Sequence, residues 1–110
     1  MAQRHIDSGQ IATVLPLREA LREHRTTAIL KARQLEMVRV VLAAGASMPE
    51  HAAPGEITLY CIEGRLELAT PSSRLLMQAG DLVHLAAREP HSLRGVTHAS
   101  LLLTICLVPG

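Results

Sequence analysis

Residues 45–64, GASMPEHAAPGEITLYCIEG, and residues 80–95, GDLVHLAAREPHSLRG, decide how this chain is read. Each is opened and closed by glycine, and each carries a histidine at a turn-rich point: His51 in the first, His91 in the second, which also holds His84. Glycine suits such places because tight hairpins need residues that tolerate positive φ. The fifteen residues between the segments, 65–79, hold RLELAT, then the turn cluster PSS, then RLLMQ. RLELAT alternates strictly, with Leu66 and Leu68 on one face and Arg65, Glu67 and Ala69 on the other. A period of two is that of a half-buried strand.

Working outward, strand signals dominate from residue 26 to the end. TTAILKA (26–32) and LEMVRVVLAA (35–44) are rich in β-branched and aliphatic residues. In the second, Leu35, Met37 and Arg39 share one face, and Glu36, Val38 and Val40 the other. ITLYCIEG, DLVHLAA and the nearly continuous apolar ASLLLTICLV complete the set, while AGASMPE and REPHSLRG read as breaks in the pattern. Seven or eight short strands, with Gly or Pro at most junctions and no helical pattern between them, predict an all-β jelly roll rather than βαβ units.

Residues 1–25 read differently. SGQIATVLP is an arm or short strand, and Pro16 can open a helix through LREALREH, with Leu17 and Leu21 on one face. The expected organisation is an N-terminal arm over 1–25 and one barrel over 26–110.

Composition narrows the function classes. The 110 residues carry a net charge of +1, one tyrosine (Tyr60), no tryptophan and no phenylalanine. That composition speaks against nucleic-acid binding, which rests on basic surface and base-stacking rings. No apolar run approaches the ~20 residues needed to span a bilayer, and the first ten residues lack an export signal, so a cytoplasmic location is expected. Cys61 and Cys106 are then expected as reduced thiols. Ten of the eleven basic residues are Arg, which fits a GC-rich bacterial genome.

The two glycine-framed segments resemble the paired motifs of the cupin superfamily, across residues 45–95. Gly45 followed six residues later by His51, the Pro54-Gly55 and Gly64 frame, and Gly80-Asp81 with His91 all stand at motif spacing. The resemblance implies a jelly-roll β-barrel, with a short arm or helix outside it, and a homodimer. Metal-binding members present two histidines and a glutamate from the first motif and one histidine from the second. Here Ala53 stands at the second histidine position and Ile57 at the glutamate position, with Glu56 one residue off. A one-residue shift in a strand turns a side chain to the opposite face. Ala86 and Arg88 replace the usual Pro and Gly of the second motif.

Two of four ligands therefore remain, fewer than the three or four that stable sites carry. No full cofactor set is present; a divalent metal on His51 and His91 would need a third donor, for which His84 and Cys61 are the candidates. The expected activity is binding of a small, anionic molecule in the barrel by His51 and His91, against an apolar wall of Ile57, Leu59 and Cys61, with Arg94 as a carboxylate clamp. Two alternatives stay open: a metal-dependent enzyme of the dioxygenase or isomerase kind, and a structural or interaction domain.

Overall fold

The computed structural model describes residues 5–110. Nine antiparallel strands are present among them: β1 (Thr27–Lys31), β2 (Leu35–Leu42), β3 (Ser47–His51), β4 (Ile57–Glu63), β5 (Arg65–Ala69), β6 (Arg74–Gln78), β7 (Leu82–Leu85), β8 (His91–Gly95) and β9 (Ala99–Cys106). They form a five-stranded sheet, β1-β2-β9-β4-β7, and a four-stranded sheet, β3-β8-β5-β6. The order places β9, last in the chain, between β2 and β4, which is the crossing expected of a jelly roll.

Pleat alternation builds the core. On β9, Ala99, Leu101 and Leu103 face inward; opposite them stand Leu42, Val40 and Val38 of β2, and on the other side Leu59 and Cys61 of β4. The second sheet contributes Leu66, Leu68, Met77 and Leu93. Fully burying such a side chain contributes about 1.5–3 kcal/mol. With no Phe or Trp to fill volume, branched aliphatics and one Met do so. Leu59, Cys61, Leu66, Leu68 and Leu101 have no accessible surface at all.

Two strands escape the sequence pattern. Ser47–His51 and Arg88–Gly95 read as turns because of Pro49 and Pro90, yet β3 and β8 pair there at Ser47↔Arg94, Met48↔Leu93 and His51↔His91. Pro49 is tolerated because β3 is an edge strand with an irregularity between Met48 and His51. The N-terminal expectation also shifts. Residues 8–16 form no strand, and the helix is one short 3-10 segment, Arg18–Glu23, rather than an α-helix over 17–24. Leu21 is its buried anchor.

The arm is tied down at two points. The Ile6 N–H donates to the Ile29 carbonyl on β1, and the Leu17 and Arg18 N–H groups donate to the Glu63 carboxylate at the end of β4. Among the described residues no helix is long and apolar enough to cross a membrane.

Gly64 makes the turn between β4 and β5 possible, where the chain passes from one sheet to the other. It sits at φ +78°, and a Cβ there would collide with the His98 carbonyl oxygen and Ala99. Gly45 has a similar φ, +81°, with open space around it. Gly45→Ala should therefore lose about 1–2 kcal/mol, the left-handed backbone cost alone, while Gly64→Ala should lose clearly more. Urea denaturation of the two variants measures this; equal losses would remove the steric argument.

Candidate functional site

His51 ends β3 and His91 begins β8, and the two are direct cross-strand partners. Their ring centroids lie 4.2 Å apart with the planes inclined at 59°. His91 shares inward parity with Leu93 and is 2% exposed, whereas His51 is exposed. The pair thus stands where the packed interior meets solvent.

Each imidazole is held the same way. His51 Nδ1 lies 3.0 Å from the Pro49 carbonyl oxygen, and His91 Nδ1 lies 3.0 Å from that of Glu89. A carbonyl can only accept, so Nδ1 carries the proton in both rings and each neutral imidazole keeps its Nε2 lone pair free. Burial pushes the His91 pKa down; the bond to the Glu89 carbonyl opposes this in part, and His51 adds to it. His91 is consequently neutral near pH 7, with Nε2 as an acceptor.

The remaining sequence-stated candidates are not gathered at this pair. Leu59 and Cys61 have no accessible surface and Ile57 is 3% exposed, so they are packed core, not the wall of an open cavity. The Cys61 Sγ turns to the β4–β5 turn, toward the Glu63 and Gly64 carbonyls. Burial raises the Cys61 pKa, which keeps the thiol protonated and apolar in character. Arg94 is exposed, on the face of β8 opposite to His91, because it lies an odd number of residues away; it cannot clamp a molecule held inside.

His84 likewise points outward. It pairs with Thr58 between inward Val83 and Leu85, and its Nε2 lies 2.7 Å from Glu56 Oε1. It is not brought to His51 and His91. Glu56 takes the same outward direction, so the Glu56–His84 pair is a surface ion pair when His84 is protonated. An open groove of about 280 Å³ lies there, bordered by Leu35, Glu56, Ile57, Thr58, His84, Thr104 and Cys106.

The residues present do not fit a three- or four-ligand metal centre. Ile57 fills the core where a carboxylate would be needed, and the half-buried Ala53 packs against that core. Among the described residues, no group of three or more His, Cys, Asp or Glu side chains converges.

Glu63 has a part that its place in the sequence does not show. Its carboxylate accepts from Leu17 N, Arg18 N and Ser100 Oγ, at 2.8, 2.9 and 2.6 Å. Burial alone would raise its pKa, but these hydrogen bonds and Arg39 hold it below the usual carboxylate value. Partners 37 to 46 residues away leave no local signal, so sequence reasoning could not find this.

The profile of the cupin-domain family matches residues 38–107, and the chain belongs to that family. Solved structures agree in fold. A conserved protein of unknown function from Streptococcus pyogenes superposes over 100% of both chains, with TM-score 0.76 and 19% identity. A cupin superfamily protein from Desulfitobacterium hafniense aligns with 98% of this chain and 99% of its own, with TM-score 0.78 and 13% identity. A DMSP lyase from Ruegeria pomeroyi aligns with 74% of this chain and 45% of its own, with TM-score 0.68 and 19% identity. No functionally curated protein matches the chain.

The depressed His91 pKa gives a pH signature. The unfolded chain binds a proton near 6.5 that the folded chain refuses, so stability is full above that value and falls as pH drops toward the folded pKa. Glu63 acts in the same direction but only below about 4.5, its ordinary value. Denaturation midpoints should decline between neutral and mildly acidic pH, and His91→Gln should flatten that decline. An unchanged profile in the variant would show that His91 does not control it.

Proposed function

We propose that this cupin domain binds a small molecule at the mouth of its barrel, through the Nε2 atoms of His51 and His91. The observation that carries this reading is the cross-strand pair itself: two rings 4.2 Å apart, both with Nδ1 committed to a carbonyl. Two neighbouring acceptors suit a small weak acid or hydroxy compound. A carboxylic acid that gives its proton to one imidazole is then held as an anion by a charge-assisted hydrogen bond. Met48 on β3 and Ala53 just beyond it, both half-buried, supply apolar contact. The two free cysteines support a reducing, cytoplasmic setting.

A second reading is a metal-dependent cupin enzyme of the dioxygenase or isomerase kind. The Nδ1 bonds favour it, because metal-bound imidazoles have their other nitrogen tied to an acceptor. Among the described residues it lacks a third protein donor, since His84 points outward and Cys61 is turned to the Glu63 and Gly64 carbonyls. Elemental analysis separates the two. We expect well under one equivalent of metal in the purified protein. Small carboxylic or hydroxy acids should raise the melting temperature of the wild type but not of His51→Ala or His91→Ala. A stoichiometric metal that His91→Ala loses would overturn the first reading in favour of the second.

A further inference from the structure

The arm crosses the five-stranded sheet as a strap. Its Ile6 end bonds to β1 and its Leu17 end to Glu63 of β4, on the far side of β2 and β9. Between those ends burial alternates, with Ala12 and Val14 half-buried and Ile11, Thr13 and Leu15 turned to solvent. Among the described residues the only backbone hydrogen bond along this stretch is a local turn, Gln10 N–H to the Asp7 carbonyl. No ladder holds the strap, so release at the Leu17 end is enough to lift it.

The closed strap carries two costs. Arg18 sits at φ +54°, the left-handed region that a residue other than glycine enters only against steric resistance. It is held there because its N–H and that of Leu17 point at one carboxylate, Glu63. The second cost falls on Arg39, which stands on β2 opposite Leu102 of β9. The residue is 7% exposed, and its Nη1 has no hydrogen-bond partner among the described residues. A buried cation so placed is unfavourable, and the opposite charge that acts on it is Glu63. One movement relieves both: Glu63 turning from the two amides to the guanidinium.

We propose that Glu63 is a two-position latch for the arm. In one position it accepts from Leu17 and Arg18 and the strap is shut. In the other it pairs with Arg39 and the strap is free to lift. Ser100 keeps the carboxylate within reach of both, since its hydroxyl donates to Oε2 at 2.6 Å from β9, the strand between β2 and β4. Burial of Leu21 and the half-buried Ala12 and Val14 oppose release, so the open form is the minor state. The latch lies on the sheet that does not carry His51 and His91, and it works independently of that pair.

Amide hydrogen exchange on the full chain, read at Leu17, tests this. In the wild type Leu17 should exchange by local opening, well before Leu101 and Leu103 of β9. Glu63→Gln should speed it, and Arg18→Gly, which removes the left-handed cost, should slow it about tenfold. The discriminating variant is Arg39→Met. A latch deprived of its second position stays shut, so Leu17 should exchange several-fold more slowly. A fixed clamp predicts unchanged or faster exchange, because a buried side chain has been replaced. Should Arg39→Met fail to fold, nitrogen relaxation dispersion on the wild type gives the same answer: the Leu17 amide and Arg39 Nε should share one exchange rate. Unchanged or faster Leu17 exchange in folded Arg39→Met, or the absence of a common rate at Leu17 and Arg39, would overturn the latch.

Discussion

The alternation of β9 between β2 and β4 is the constraint on which the rest depends. Eight consecutive pairs run from Leu35↔Cys106 to Leu42↔Ala99, and the β4 pairing holds the other side of the same strand. Ala99, Leu101 and Leu103 go in; Ser100, Leu102 and Thr104 go out. A slip by one residue would exchange these sets and expose the core. The same rule decides the chemistry. It sends His91 inward with Leu93 and turns Arg94 away, and it places His84 on the outer surface although the next residue, Leu85, is buried.

A core without large aromatics explains where the histidine pair sits. Aliphatic side chains fill the space until Leu59 and Leu101 have no accessible surface, so the interior has no room left beside them for a bound molecule. The polar pair is displaced to the end of the packed volume, with one ring in and one ring out. Ile57 belongs to the same packing. A carboxylate at that position would sit among Leu59, Leu85 and Leu103 and would need a cation to justify its desolvation. Isoleucine there instead adds about 1.5–3 kcal/mol of burial.

The barrel and its two histidines were legible because they rest on local spacing: glycine at turns, period-two alternation in RLELAT, and His51 and His91 at fixed distances from glycine. The strands that carry those histidines were not. Pro49 and Pro90 look like breaks, and only edge pairing with an irregular register lets β3 form around a proline. That Ile57, Leu59 and Cys61 are solid core, not cavity wall, was equally hidden. Parity tells which way a side chain points, but not whether anything stands in front of it. The part of Glu63 was hidden because its partners come from the arm and from β9, far away in sequence.

Glu63 also links the arm to the outer face. Its carboxylate is the one whose charge Arg39 feels, yet its hydrogen bonds go to Leu17, Arg18 and Ser100. Pinning the arm therefore uses up the acceptor that Arg39 would otherwise take. Ser100, outward by parity and fully buried, shows how completely this corner of the sheet is covered. One carboxylate cannot cap the start of the 3-10 helix, hold a buried hydroxyl and pair bidentately with a guanidinium at once. The arm's attachment and the lack of an acceptor for Arg39 Nη1 among the described residues are two consequences of a single choice, which sets that donor beside the apolar surface of the five-stranded sheet.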